Sequence, residues 1–297
     1  MSVAADENYN LKKGIAWILF SAFGFACMDL CVRMAGDLPF IQKTLFRNSI
    51  AFIISFTTLL TKSHSDKSVL HVEKGAWKWI VIRSAVGSFG IFGNFYALGI
   101  MNISDAAMLN KMSPFFAVFF SIFITGEKPN LFSICSLIAA FTGALFIIKP
   151  GLDFSQTFPA IVAFIGGMGA GCAAACIRKL RTFHVNGMVI IAFFSAFSTL
   201  IALPFSIIYF EPMSIQQLLW LCGTGVFAAF GQFGLTGAFY NAPAYKISVY
   251  DYSNIVFAAI LGFIFLDQVP DQWSLIGYII IIGAAVAVFL RDLKKHQ

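Results

Sequence analysis

Long apolar runs alternate with short polar connections along the whole chain. About 20 apolar residues cross the hydrocarbon core of a bilayer. Ten runs meet that length: about 14–34, 40–61, 77–99, 104–125, 131–149, 158–179, 187–209, 215–239, 245–266 and 272–290. The pattern predicts ten transmembrane helices, since a helix satisfies its own backbone polar groups where water is absent. The longest connection, residues 62–76, is polar and is expected on the membrane surface. The polar start, Met1 to Lys13, carries no small-residue cleavage pattern, so the first run is expected to be a retained span and not a signal peptide.

The runs also repeat. "CMDLCVR" (27–33) and "CAAACIR" (172–178) share C-x-x-x-C-x-R at an offset of 145, and "FGIFG" (89–93) matches "FGQFG" (230–234) at 141. Glu127 with Asp267, and Gly143 with Gly283, agree at 140. Three matches in register point to a duplication. Five spans is an odd number, so a second copy must enter the membrane inverted. The expected fold is an all-α integral membrane protein of ten transmembrane helices in a 5+5 inverted repeat. Its parts are a tail (1–13), repeat 1 (14–150), repeat 2 (158–290) and a second tail (291–297). Inverted repeats of this kind build transporters, whose halves exchange roles to open a central site to either side.

Composition agrees with the pattern. Of 297 residues, 59% are apolar and 11% charged, with a mean hydropathy of +0.83; soluble domains run near a quarter charged. The formal charge of +6 does not signal nucleic acid, because the basic residues fall in short clusters between apolar runs. With a cytoplasmic N-terminus, fourteen lysines and arginines fall inside and only Arg33, Lys43 and Lys149 outside. That asymmetry predicts both termini in the cytoplasm. Six cysteines (27, 31, 135, 172, 176 and 222) all lie in apolar segments and are expected to be small hydrophobes in helices. A zinc site from the paired C-x-x-x-C motifs lacks any in-span histidine. P-loop, zincin and nucleophile-elbow signatures are missing, so the chain is not expected to be an enzyme and no cofactor is expected.

Three basic residues remain inside spans: Arg47, Arg83 and Lys111. An ionisable side chain in hydrocarbon is costly and marks a functional site by default. At the 140 offset "NKMSPFF" (110–116) falls on "YDYSNIV" (250–256), so Lys111 aligns with Asp251 and Pro114 with Asn254. Straight helices would leave the two charges roughly 12 Å apart along the membrane normal, a gap for a substrate or a water chain. Alternatively Lys111 snorkels to the surface. Arg47 and Arg83 read equally as interfacial anchors or cavity residues. Asp29 and Arg33 have the spacing of a pair along one helix. Glycine and alanine clusters in spans 3, 6 and 8 suit close packing, and sliding surfaces as well.

Ten spans, the duplication and the stretch "FYALGIMNISDAAMLNKMSPFFAVFFSIFITGE" (95–127) resemble EamA-type members of the drug/metabolite transporter superfamily. The second half, "GAFYNAPAYKISVYDYSNIVFAAILGFIFLDQ", follows the pattern more loosely, with Asn254 for the proline and Asp267 for the glutamate. The resemblance implies a central cavity bounded by spans 1–4 and 6–9, with spans 5 and 10 peripheral and supporting a homodimer. Carried onto this chain, the cavity candidates are Lys111, Asp251, Tyr250, Asn254, Asn110, Asn94, Tyr96, Arg83 and Gln232. The expected function is secondary active transport, as an exporter, of a small polar or zwitterionic, amino-acid-like metabolite. Lys111 would meet a carboxylate, and Asp251 an amine or a coupled proton; a counter-substrate is the other coupling partner. The alternatives are efflux of aromatic or cationic drug-like compounds at Asp251, Tyr250 and Tyr252, and a non-transporting membrane sensor. The lipid bilayer, of a bacterial inner membrane, is the expected location.

Overall fold

The computed structural model describes residues 9–98, 109–148, 157–267, 269 and 271–294. The start of the fourth predicted span and the ends of both tails lie outside them. Among the described residues every regular element is a helix. The main helices are α1 (Leu11–Met34), α2 (Phe40–Ser65), α3 (Lys74–Leu98), α4 (Ser113–Thr125), α5 (Leu131–Ile148), α6 (Thr157–Arg181), α7 (Gly187–Ile208), α8 (Ile215–Asn241), α9 (Ser253–Leu266) and α10 (Gln272–Lys294). Eight helical stretches are long and apolar enough to cross a membrane, with α4 and α5 as shorter apolar helices. The protein is an integral membrane protein.

Local chemistry sets the helix ends. Asn10 and Asn186 accept backbone N–H groups at the starts of α1 and α7, and Ser214 with Gln217 forms a reciprocal capping box on α8. α4 and α9 both stop at a left-handed residue, Gly126 (φ +74°) and Asp267 (φ +53°). Glycine takes that conformation freely and aspartate tolerates it.

Two predicted spans are not single α-helices. Asn110 is helical, Lys111 and Met112 form a turn, and α4 begins only at Ser113. Pro114 has no N–H to offer Asn110, and Phe115 N–H bonds Met112 O at 3.0 Å, one residue short of its α-helical partner. The second break precedes α9. A single turn, Ala244–Ile247, passes into a 3-10 segment, Ser248–Tyr252, before the α-helix resumes.

The packing falls into matching sets. α1 lies on α8 as α3 lies on α6, α4 touches α6 as α9 touches α1, and α2 meets α8 as α7 meets α3. α2 with α7, and α5 with α10, complete the bundle. The closest approaches use glycine. A Cβ on Gly24 would lie 2.8 Å from Gly231 N and 3.3 Å from Phe227 O. One on Gly169 would lie 2.6 Å from Val86 O and 3.6 Å from Gly90 N. Each pair of neighbours is the other shifted by the repeat offset. Small residues give helices in lipid their contact area, since no hydrophobic driving force separates helix from solvent there.

Both terminal segments lie at one end of the bundle. Asn10 N–H donates to Asn241 O at 2.9 Å, Lys246 Nζ to Tyr9 OH at 2.6 Å, and Arg291 Nη1 to Asn130 Oδ1 at 3.3 Å.

A methyl group at Gly24 has no space without separating α1 from α8, whereas one at Gly283 meets nothing within 4 Å. Gly24→Ala should therefore cost about 1–3 kcal/mol and lower the melting temperature in detergent. Gly283→Ala should leave it unchanged, and equal melting of the two variants would refute the close-packing account.

Candidate functional site

The two helix breaks meet at the centre of the bundle. α6 seats the first of them: a Cβ on Gly167 would lie 2.7 Å from Leu109 O, and one on Gly171 2.6 Å from Ser113 O. Because Phe115 N–H bonds Met112, the carbonyl of Lys111 loses its α-helical donor. Tyr252 OH, from the second break, donates to that carbonyl at 2.9 Å. In return the Lys111 ammonium donates to Asn254 Oδ1 at 2.6 Å, and Asn254 Nδ2 donates to Ala22 O of α1 at 3.1 Å. Asn254 stands where the first half has its proline, and its amide ties both breaks to α1.

Lys111 is half-buried and turned inward by this bond, which answers the choice between snorkelling and the interior. Asp251 and Asp29 both lie within its electrostatic range. Asp29 meets Lys111 of the α4 break, Arg47 of α2 and Asn254, so its charged neighbours come from other helices rather than along α1. It is also exposed, so open space lies beside it within the bundle. Arg47 is 4% exposed; its Nη1 donates to Asn48 Oδ1 at 2.7 Å and its Nε lies 3.4 Å from Met28 Sδ. It is an interior residue, not an interfacial anchor.

Arg83 and Gln232 form a second group. Arg83 is 2% exposed, its Nη2 donates to Gln232 Oε1 at 2.9 Å, and its guanidinium carbon lies 3.6 Å from the centre of the Phe194 ring. Arg47 is within its electrostatic range and links the two groups. Tyr250 is buried beside Asp251 in the 3-10 segment. Asn94 and Asn110 flank neighbouring glycines of α6: a Cβ on Gly166 would lie 3.5 Å from Asn94 N, and one on Gly167 3.6 Å from Asn110 Cα. Tyr96 sits toward the far end of α3, where its ring meets Phe158 edge-on at 6.4 Å. Its ring contact is to α6, away from the pair Lys111 and Asn254. A groove between α5 and α10, lined by Thr142, Leu145, Phe146 and Trp273, is peripheral and uncharged.

At the end of the bundle that holds the termini, Arg178 Nε donates to Glu127 Oε1 at 3.1 Å, with both side chains 8% exposed. Glu127 Oε2 accepts the Ala244 N–H at 2.9 Å. Burial pushes the Glu127 carboxyl up, and the Arg178 charge draws it back. One carboxylate thereby ties α4, α6 and the segment leading to α9. The matching positions at the other end, Arg33 and Asp267, are both exposed. Glu127 and Arg178 were visible in the sequence only as repeat markers. Arg47 could have been found by asking which in-span charges lack a partner of their own helix; Asp29, with Arg33 at helical spacing, could not.

Comparison with known proteins gives a consistent result. The profile of the EamA-like transporter family matches residues 12–149 and again 157–290. The pseudopaline exporter CntI of Pseudomonas aeruginosa is 30% identical, over 94% of this chain and 96% of the relative. An uncharacterized transporter of Helicobacter pylori is 24% identical, over 95% and 97%. Human solute carrier family 35 member G1 is 24% identical, over 94% of this chain and 79% of the relative. A solved crystal structure superimposes with a TM-score of 0.81 at 17% identity, covering 96% of this chain and 99% of that one, which is a likeness of fold.

The bond from Tyr252 supplies the Lys111 carbonyl with the donor that its own helix withholds. Tyr252→Phe should cost about 1–3 kcal/mol, the penalty of a buried acceptor left unsatisfied. Thermal unfolding reads the loss; a variant that melts with the wild type would mean that the breaks do not depend on each other.

Proposed function

The chain belongs to the EamA-like transporter family, and on that premise we propose that it is a secondary active exporter of a small polar or zwitterionic, amino-acid-like metabolite. The observation that carries the reading is the central cluster of mixed sign. Lys111 is turned inward between Asp29 and Asp251, with open space beside Asp29. A cation flanked by carboxylates within a bundle suits a ligand bearing both charges: its carboxylate meets Lys111 and its amine meets Asp251 or Asp29. Either carboxylate could equally carry a coupled proton. Export is supported by likeness to a named exporter. An aromatic cation would engage Asp251 with Tyr250 and Tyr252 and leave the inward-turned Lys111 without a role, which ranks drug efflux second.

Alternating access through a 5+5 inverted repeat is the mechanism we infer. The twofold profile match, the matched helix contacts and the repeated glycine approach all support it. The lysine and arginine asymmetry supports termini in the cytoplasm. Glu127, Arg178 and the Ala244 N–H then act as a cytoplasmic latch, closed in this conformation. The exposed Arg33 and Asp267 mark the end that opens outward. Broken helices suit such motion, because each half can pivot about its own interruption.

Thermal stabilisation of the purified protein tests the site without a transport assay. A ligand at a hundred times its Kd adds about 2.7 kcal/mol. Zwitterionic metabolites should stabilise the wild type and lose that effect in Lys111→Ala. Stabilisation by aromatic cations, lost only in Asp251→Asn, would transfer the function to drug efflux.

The latch has its own test. In a chain whose only cysteine is Cys176, which is buried, Glu127→Gln should speed labelling by a soluble maleimide applied from the cytoplasmic side. Labelling as slow as with Glu127 intact would remove the latch from the mechanism.

A further inference from the structure

Arg83 is held but not saturated. One nitrogen, Nη2, bonds Gln232, and one face of the guanidinium rests on Phe194. Nε and Nη1 are buried and have no hydrogen-bond partner among the described residues. Buried donors are ordinarily paired, and a buried guanidinium more strictly still. Close by, Arg47 spends Nη1 on Asn48 Oδ1 and offers Nε only a thioether sulfur, a weak acceptor. The Asn48 amide, fixed by that bond, leaves Nδ2 buried and without a partner among the described residues. Three donor groups from α2 and α3 therefore lack acceptors within one electrostatic neighbourhood. The carboxylates nearby do not supply them: Asp29 is already shared between Lys111 and Arg47, and Asp251 faces Lys111. Across the middle of the bundle Lys111 and Arg47 meet Asp29, Lys111 meets Asp251, and Arg83 stands beside Arg47, three cations against two anions.

We propose that Arg83, Arg47 and Asn48 form a second anion subsite, so that the exported metabolite carries a further carboxylate beyond the one at Lys111. The substrate class is then an acidic zwitterion, with one amine and at least two carboxylates. This rests on the transport reading above and narrows it. The single surplus positive charge is matched by the single net negative charge of such a ligand. A guanidinium with its other nitrogen braced by Gln232 is already oriented, so less freedom is lost on binding. The subsite is closed in this conformation, since Arg83 is almost wholly buried; a ligand reaches it as the halves move apart.

L-glutamate and L-glutamine differ by one charge at nearly equal size and serve as probes. L-glutamate should raise the melting temperature of the wild type more than L-glutamine does. Arg83→Gln should erase the difference, with at least about tenfold weaker glutamate binding, the scale of a lost charge-assisted hydrogen bond. Asn48→Asp supplies an acceptor in place: it should stabilise the ligand-free protein and abolish the preference for glutamate. A structural role for Arg83 alone predicts lower melting in Arg83→Gln with the preference intact, and that result overturns the subsite. So does equal response of the wild type to the two probes. Lys111→Ala separates the two claims, because loss of both responses there upholds the transport site whatever Arg83 does.

Discussion

A carbonyl freed inside an apolar bundle must find a donor, and that requirement organises the centre of this protein. The turn at Lys111 and Met112 strands the carbonyl of Lys111, and Tyr252 reaches across from the 3-10 segment to bond it. Asn254, two residues on, returns the contact by accepting the Lys111 ammonium while donating to Ala22. Each interruption would be costly alone, since unsatisfied backbone groups are not tolerated in hydrocarbon. Together they are complementary. Their meeting sets the height of the Lys111 charge and the approach of α1, and it brings Asp29 and Asp251 within range of one cation.

The same economy of partners runs through the charged groups. Glu127 serves Arg178 and a backbone N–H at once, and is buried because both of its oxygens are occupied. Among the described residues Arg83 is buried with two of its nitrogens unpaired, and Arg47 offers its Nε only a thioether sulfur. A fully matched cluster of charges is a rigid structural element. The two groups differ in their anions: the latch pairs one guanidinium directly with one carboxylate, whereas Arg83 at the centre is bonded by a neutral amide.

Packing sets how such a bundle can move. Gly24 against Gly231 and Gly169 against Gly90 bring backbones nearly into contact on both sides of the centre. Contacts without interlocking side chains hold helices close and still let them rotate past one another. The periphery differs. α10 presents Trp273, Ile279 and Leu290 outward, as a helix does whose neighbours on that side are acyl chains.

The apolar runs, the charge asymmetry and the repeat markers could be read from the residues, because each depends on composition or on neighbours along the chain. Lys111 and Asp251 were legible as a pair for the same reason, being equivalent by offset. Pro114 announces the first interruption, since a missing N–H is a local fact. The second could not be read: Ser248–Tyr252 contains no proline, and its 3-10 form is held by a partner about 140 residues away. Asp29 looked like half of a pair with Arg33, and Tyr96 like a central residue, until helix packing turned one toward Lys111 and set the other beside Phe158. The sequence by itself determined which segments enter the membrane and which charges they carry. Only the tertiary structure decided which of those charges meet, because in hydrocarbon a polar group is answered by whatever residue the packing brings within about 3 Å of it.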